Sequence, residues 1–336
     1  MTLVVLYKLL AIFATVALGW VAGRMHWLGE AGGAADPSRT ISLAAFTIFV
    51  PALLFRTTAR LDLPGLPWTT LLAFFVPVLM VLLAVYVTER RRLRASAAAD
   101  ARADERTAAV PSARAIAVGF GNSVQVGIPV VAAVFGEAGL GIHVTLVSLH
   151  ALVLLSVLTV LVELDIARAR AARDDNARLW HTLRATVRNT VVHPVLLPVL
   201  AGLAWNASGW QLPGPLDETL QLLGTAVAPL CLVLIGLSLA YCGLGGALRS
   251  ALVITLLKLL VLPALVLVVA HWGFGLRGVP LQVVVLMAAL PTGSNALIFA
   301  QRYQAQEAET TTAIVLSTLG FVVTAPLWLA VLAPLS

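Results

Sequence analysis

Polar side chains that can bind a small solute lie in two apolar segments that glycine and proline interrupt. These side chains are Asn122 and Gln125 within residues 119–129, and Thr292, Ser294 and Asn295 within residues 290–295. Uncharged amides and hydroxyls donate and accept hydrogen bonds without adding charge. We therefore predict a substrate site where the two segments meet, formed around Asn122 and Asn295. The alternative is that these groups only hydrogen-bond neighbouring helices, as Asn and Ser often do in membrane bundles.

Glycine and proline should break the helical hydrogen-bond ladder in both segments. The residues are Gly121, Gly127 and Pro129 in the first segment, and Pro291 and Gly293 in the second. Proline lacks an N–H and clashes with the preceding turn, while glycine leaves the backbone unrestrained. In hydrocarbon an unpaired backbone group costs several kcal/mol and is tolerated only beside a cavity or ligand. We expect a half-helix to begin near Pro129, with its positive end favouring an anion. Paired breaks of this kind are typical of transporters.

Two ionisable side chains lie in the middle of apolar stretches, where such groups are rare and often functional. His150 either couples proton movement to the site or hydrogen-bonds within the helix bundle. Lys258 either offsets the charge of an anionic substrate, offsets a helix C-terminus, or extends toward a membrane surface. Asp and Glu do not occur deep in any apolar stretch, so a carboxylate proton relay is not expected. The sequence predicts no metal site and no cofactor, and it leaves coupling to H+ or Na+ open.

The composition indicates that lipid covers much of this chain. Hydrophobic residues make up 60% of it and charged residues 11%, and the mean hydropathy is +0.96. Such a chain has too little polar surface to coat a soluble globule, so we predict an integral membrane protein with membrane lipids as partners. The formal net charge is +6. Two arginine-rich loops account for this charge, and a nucleic-acid partner is not expected.

About ten apolar stretches are long enough to cross a bilayer as helices. The long loops after the third and fifth stretches are basic; they contain Arg90, Arg91, Arg92, Arg94, Arg102, Arg106 and Arg114, and Arg168, Arg170, Arg173, Arg178, Arg184 and Arg188. Basic residues near span ends are retained on the cytoplasmic side. We therefore predict that both loops are cytoplasmic and that both termini are extracytoplasmic.

An internal repeat divides the chain into two halves of five spans. Matching positions are Pro51 with Pro229, Pro77 with Pro263, Gly121-Asn122-Ser123 with Gly293-Ser294-Asn295, and Ser148 with Ser317. Because five is odd, the second half must enter the membrane from the opposite side, which gives an inverted-topology repeat. The predicted division is a first repeat at 1–163, a cytoplasmic basic loop at 164–189 and a second repeat at 190–336.

The broken segments also resemble a known family, the auxin efflux carriers, which include plant PIN proteins and bacterial dicarboxylate permeases. The resemblance is carried by Gly121-Asn122, Gly127-Ile128-Pro129 and Phe135-Gly136, then by Leu290 to Asn295, Ala300, Tyr303, Leu316 to Leu319 and Thr324 to Trp328. It covers nearly the whole chain. The short basic loop between the fifth and sixth spans is similar to that of bacterial members, which implies a bacterial inner membrane.

The resemblance implies an all-α membrane fold of ten helices, related to the bile acid sodium symporters. In such a fold helices one, two, six and seven form a scaffold, and the other six form a transport body crossed at helices four and nine. The implied function is secondary transport of a small organic anion, a carboxylate or auxin-like compound, by an elevator mechanism. A homodimer through the scaffold helices is left open. The alternatives are a channel or a transporter-derived sensor of the same fold. An intramembrane enzyme is less favoured, because its catalytic set is missing from the sequence.

Overall fold

The computed structural model describes residues 3–29, 37–60, 67–97, 105–171, 194–242 and 248–335. All elements in these ranges are helical, and the described residues contain no strand. The α-helices of the first half are α1 (Leu3–Arg24), α2 (Pro37–Ala44), α3 (Val50–Ala59), α4 (Trp68–Ala97), α5 (Glu105–Gly119) and α6 (Ile128–Ala171). Those of the second half are α7 (Leu196–Ala207), α8 (Gly214–Cys242), α9 (Leu248–Leu256), α10 (Leu262–Val268), α11 (Gly278–Ala289), α12 (Asn295–Arg302) and α13 (Glu307–Leu332).

Six stretches of the described chain are long and apolar enough to cross a membrane. They are Pro37–Ala59, Trp68–Ala95, Val130–Arg170, Gly214–Tyr241, Leu248–Gly273 and Glu307–Leu335. The chain is therefore an integral membrane protein, as predicted. The count of ten spans and the inverted repeat stay predictions. Within α6, Gly136 has φ 63° and ψ −153°, a conformation open to glycine, so the helix bends where the fourth and fifth predicted spans separate.

Three π turns precede prolines in the membrane helices. Ala45–Phe49, Ser123–Gly127 and Leu257–Val261 are each followed, after one intervening residue, by a proline. A helical proline lacks an N–H and clashes with the carbonyl four residues earlier. The wider π turn relieves this clash, and the freed carbonyl needs another partner. For Pro263 that carbonyl belongs to Leu259, and it accepts a hydrogen bond of 2.8 Å from Trp328 Nε1.

Helices α5, α11 and α12 lie at the centre of the molecule. Residues 283–289 of α11 and 296–301 of α12 are all buried, without a polar outer face. Helices α4, α6, α10 and α13 surround them, while α1 packs along α8 and α3 packs against α7 and α8. Large apolar side chains on the outer helices, such as Val253 and Val323, are exposed. A lipid environment covers such faces at no hydrophobic cost.

Candidate functional site

Residues 120–122 and 291–293 form the crossing of the two broken helices. Gly121 and Thr292 make an isolated antiparallel β-bridge. The N–H of Asn122 donates to the Pro291 carbonyl at 2.8 Å, and the N–H of Gly293 donates to the Phe120 carbonyl at 2.8 Å. These bonds satisfy backbone groups that the broken helices release, so unwound peptide can persist in a buried place. The structure thus brings together the two segments that the sequence predicted to meet.

Glycine permits the close approach of the two unwound backbone segments at the crossing. A Cβ atom at Gly293 would lie 2.7 Å from the Gly121 carbonyl oxygen and 2.9 Å from a ring carbon of Phe120. Gly127 has a similar restriction, because its Cβ would lie 2.6 Å from His143 Nε2. That His143 nitrogen is 2.8 Å from the Ser123 carbonyl oxygen and holds the turn after the crossing. A side chain at 293 would therefore force the crossing apart, and one at 127 would displace His143 from the turn that it holds.

Each bridge residue is also anchored by a side chain from the following long helix. The N–H of Gly121 donates to His150 Nε2 on α6 at 3.2 Å. The N–H of Thr292 donates to Ser317 Oγ on α13 at 3.0 Å. His150 is 2% exposed and Ser317 is fully buried. The two halves of the chain thus fix their broken helices in the same way, with different side chains.

A π turn and then α6 follow the crossing. We predict a half-helix that starts near Pro129, and α6 begins at Ile128, the adjacent residue, but a π turn from Ser123 to Gly127 already precedes it. In this turn the N–H groups of Gly127 and Ile128 donate to the carbonyls of Asn122 and Ser123. The register of the π turn supplies these bonds ahead of the proline. The backbones of Gln125 and Pro129 belong to this stretch, and their side chains lie outside what the structure describes.

A cavity of about 350 Å³, here named the α3 cavity, opens beside the crossing. Its polar lining consists of Arg56, Thr57, Asn122, Ser123, Ser148, His150, Gln221, Thr225, Ser294 and Asn295. Three of the predicted substrate residues, Asn122, Ser294 and Asn295, therefore face one volume. Among the described residues that line it there is no Asp or Glu. Hydroxyl and amide groups with one guanidinium form a surface that suits a small anion.

A second cavity of about 270 Å³, the α1 cavity, reaches the crossing from another direction. Its lining is mostly apolar and includes Trp20, Leu232, Ile235, Val315 and Thr318, together with Asn122. Along α8, the α3 cavity contacts residues 220–227 and the α1 cavity contacts residues 232–239. The two cavities therefore lie toward opposite ends of the same long helix.

Asn122 lines both cavities and is only 3% exposed. Its Oδ1 atom has no hydrogen-bond partner within the described part of the chain. A buried amide oxygen without a partner costs about 1–3 kcal/mol, so such a group is retained when it has a ligand to bind. The predicted site residue with the strongest structural support is therefore Asn122.

A cluster of charged side chains joins α3 to α8 at the rim of the α3 cavity. Arg56 donates from Nε to Asp217 Oδ1 at 2.8 Å and from Nη2 to Gln221 Oε1 at 2.9 Å. Arg60 donates from Nη1 to the other Asp217 oxygen at 2.9 Å. Two guanidiniums share one carboxylate in this cluster. The cluster of Arg56, Arg60 and Asp217 therefore carries a net charge of one positive unit at the rim of the α3 cavity.

The two predicted charge-bearing residues both approach the crossing at Gly121. His150 lines the α3 cavity, and its Nδ1 has no hydrogen-bond partner among the described residues. Lys258 is 1% exposed, and its Nζ donates to the Ala288 carbonyl at 2.9 Å. A Cβ at Gly121 would lie 3.4 Å from that Nζ. Lys258 thus points toward the crossing and not toward a membrane surface.

Thr292 is positioned differently from the other predicted substrate residues. It is fully buried, and its Oγ1 donates to the Ala117 carbonyl at 2.9 Å. It lines neither the α3 cavity nor the α1 cavity. Its hydroxyl therefore holds the end of α5 against the crossing, and its contact with a substrate stays a prediction.

Sequence reasoning did not assign site roles to Arg56, His143 or Ser317. Ser317 was matched to Ser148 in the repeat, but this match does not show that Ser317 binds the backbone of Thr292. Arg56 lies at a predicted span end, where basic residues are ordinary. Its position on the rim depends on how α3 packs against α8. Metal ligands were not expected, and no group of three or more His, Cys, Asp or Glu within the described ranges could hold a metal ion.

Comparison with known proteins finds relatives among membrane transporters. A family model described as membrane transport protein matches residues 4–329. A relative described as an uncharacterized transporter from Methanothermobacter thermautotrophicus is 25% identical over 330 residues, covering 96% of this chain and 97% of the relative. Auxin efflux carrier component 8 of Arabidopsis thaliana is 25% identical over 227 residues, covering 54% and 60%. A Rhizobium meliloti (strain 1021) protein named for malonate transport is 29% identical over 137 residues, covering 41% and 43%.

The broken helices, the buried crossing and the apolar spans define a membrane transporter. The chain belongs to the membrane transport protein family, the auxin efflux carrier family that its motifs resemble. The predicted resemblance is confirmed.

Proposed function

We propose that the protein is a secondary carrier that moves a small organic anion across the bacterial inner membrane by alternating access. The observation that carries this proposal is the meeting of the α3 cavity and the α1 cavity at Asn122. A fixed site between two separate cavities is what alternating access requires, because the solute can then leave in either direction. A static structural use of Asn122 would instead leave its Oδ1 hydrogen-bonded.

The charge distribution supports an anionic substrate. Arg56 stands on the rim of the α3 cavity, and Lys258 lies buried next to Gly121. The described lining of this cavity supplies no carboxylate to repel an anion. One relative is named for auxin efflux and another for malonate transport, so auxin and malonate, both carboxylates, are the first compounds to test.

An elevator movement fits the arrangement of the helices. Helices α1, α3, α7 and α8 pack against one another, and α4 to α6 with α9 to α13 pack around the crossing. We assign the first group, with α2, to a scaffold and the second group to a transport body. In this scheme the crossing moves with the transport body, while Arg56 and Gln221 stay on the scaffold.

Uptake by the purified protein in liposomes tests the proposal. The expected result is saturable uptake of labelled malonate or auxin with counterflow. Asn122→Ala should lose about tenfold or more in substrate affinity, because the Asn122 amide NH2 can donate to a carboxylate, and one hydrogen bond to a charged group is worth about 1.5–3 kcal/mol. Asn206→Ala is the matched control, because Asn206 lines neither cavity and donates to the Ala59 carbonyl. Ohmic current without counterflow would indicate a channel, and binding without flux a sensor. Equal affinities in the two variants would remove Asn122 from the site.

A further inference from the structure

A third cavity, here named the arginine cavity, lies away from the crossing and has a volume of about 460 Å³. Its charged lining consists of Arg39, Arg106, Arg170, Arg302, Glu105 and Glu163. These residues come from the start of α2, the start of α5, the later part of α6 and the end of α12. Four chain segments that are distant in sequence therefore place guanidiniums around one concave volume.

The charges in this cavity do not balance. Arg170 binds Glu105 through two parallel hydrogen bonds, both of 2.9 Å. Glu163 accepts a hydrogen bond of 3.1 Å from the Tyr303 hydroxyl, which also lines the cavity. Among the described residues that line the cavity, four guanidiniums against two carboxylates leave an excess of two positive charges. A concave surface with such an excess concentrates anions.

Topology signals alone do not account for this arrangement. Arginines that only retain a loop on the cytoplasmic side do not need to face a shared cavity. Arg92 is an example: its side chain is 71% exposed and pairs with Glu89 of its own helix. In the arginine cavity, by contrast, Arg302 is held with its guanidinium carbon 5.7 Å from the centre of the Phe46 ring. This cation–π contact fixes Arg302 at the junction of α12 with the π turn Ala45–Phe49.

We propose that the arginine cavity binds a phosphate group. A phosphate carries up to two negative charges and several acceptor oxygens, which match two excess charges and the planar donor forks of guanidinium groups. Basic pockets between membrane helices on the cytoplasmic side bind anionic headgroups by the same chemistry. The phosphate can belong to a soluble phosphate compound or to a phospholipid, and the test separates these two sources.

The location of the site gives the ligand a mechanical consequence. Arg39 belongs to α2, which the proposed function assigns to the scaffold, while Arg106, Arg170 and Arg302 belong to helices of the transport body. A phosphate held between them joins the two bodies. This consequence rests on the proposed function, whereas the binding itself does not.

Thermal unfolding of the purified full-length chain in detergent measures the binding directly, without any transport assay. One series adds inorganic phosphate at constant ionic strength, and another adds dioctanoyl phosphatidylglycerol with dioctanoyl phosphatidylcholine as the zwitterionic comparison. We expect a saturable rise in the unfolding temperature, since a ligand of the folded state stabilises it. In Arg302→Gln and in Arg106→Gln the apparent affinity should fall about tenfold, the loss of one charge-assisted hydrogen bond. Arg168→Gln is the matched control, because Arg168 is 55% exposed, like Arg170, but does not line the cavity.

Each outcome decides the proposal. Saturation by inorganic phosphate assigns a soluble ligand, and saturation by phosphatidylglycerol alone assigns a lipid headgroup. The proposal is overturned if neither probe gives a saturable shift, or if Arg302→Gln and Arg106→Gln both bind like the wild type. It is also overturned if Arg168→Gln weakens binding as much as they do. Because the readout is binding, failure of malonate or auxin uptake leaves this test unaffected.

Discussion

At the scale of single residues, the crossing depends on two kinds of residue. Glycine allows the two backbone segments to approach, and buried polar side chains accept hydrogen bonds from their N–H groups. Gly293 lets the two unwound segments approach each other. His150 and Ser317 accept hydrogen bonds from the N–H groups of Gly121 and Thr292. Because Gly121 donates to His150 Nε2, that nitrogen carries no proton in this arrangement. A proton added to His150 Nε2 would break the contact with Gly121. Proton coupling through His150 would therefore change the crossing itself.

Lys258 provides a test of the charge at the crossing. Lys258→Met removes the ammonium but keeps a side chain of similar length, and it leaves the Ala288 carbonyl without this donor, at a cost in stability of about 1–3 kcal/mol. The ammonium lies next to Gly121, which lines the α3 cavity, so under the proposed function it should attract an anion there. At an effective dielectric of about 20, one charge several ångströms away contributes on the order of 1–2 kcal/mol, so substrate affinity should fall about tenfold. Concentration-dependent malonate uptake measures the change.

Removal of a distant charge controls for a general electrostatic effect in that experiment. Arg168→Gln lowers the net charge by the same amount, and its side chain pairs with Asp165 away from the two substrate cavities. Its substrate affinity should match that of the wild type. Unchanged affinity in Lys258→Met would show that its ammonium serves only to bind the Ala288 carbonyl.

At the scale of elements, proline and the π turns decide where the helices bend. The prolines are visible in the sequence, but the partners of the carbonyls that they release are not. Leu259 obtains its partner from Trp328, on a helix that follows much later in the chain. This hydrogen bond links α13 to the turn that carries Lys258.

Trp328→Phe should therefore destabilise the protein through the backbone of Leu259. The phenylalanine ring keeps most of the apolar contact but cannot donate, and a buried carbonyl without a partner costs about 1–3 kcal/mol. The free energy of unfolding in detergent should fall by that amount. Trp272→Phe is the comparison, because Trp272 is 68% exposed, and surface substitutions usually change stability by less than about 0.5 kcal/mol. Equal losses in both variants would mean that the hydrogen bond contributes nothing specific.

At the scale of the whole molecule, the sequence predicts the membrane class and the positions of the two breaks, because hydropathy and Gly–Pro clusters are local properties. It also predicts that Asn122, Ser294 and Asn295 lie together, since the predicted repeat would put both breaks at equivalent positions. It does not predict the π turn that begins at Ser123 ahead of α6, because a π turn changes hydrogen-bond register without a distinct sequence signal. Arg56 is missed for another reason. Its role comes from the approach of α3 to α8, which joins residues far apart in the chain.

The two cavities lead to a prediction about the whole carrier in its membrane. Ser148 lines the α3 cavity and Val315 lines the α1 cavity, and both are partly exposed. In a chain whose Cys231 and Cys242 are replaced by alanine, we introduce Ser148→Cys or Val315→Cys. With the predicted orientation, an impermeant thiol reagent outside intact cells should modify the first variant. The second should react only in inverted vesicles. Bound substrate should slow both reactions, because Asn122 lines both cavities.

Arg60→Cys controls for accessibility in this experiment. Arg60 is exposed near the rim but does not line the α3 cavity, so it should react from outside at the same rate with and without substrate. Labelling of Ser148→Cys and Val315→Cys from the same side would contradict the placement of the cavities on opposite faces, and with it alternating access at Asn122. If Val315→Cys reacts from outside and Ser148→Cys only in inverted vesicles, alternating access is retained but the predicted topology is inverted. The arginine-rich loops would then lie outside the cytoplasm.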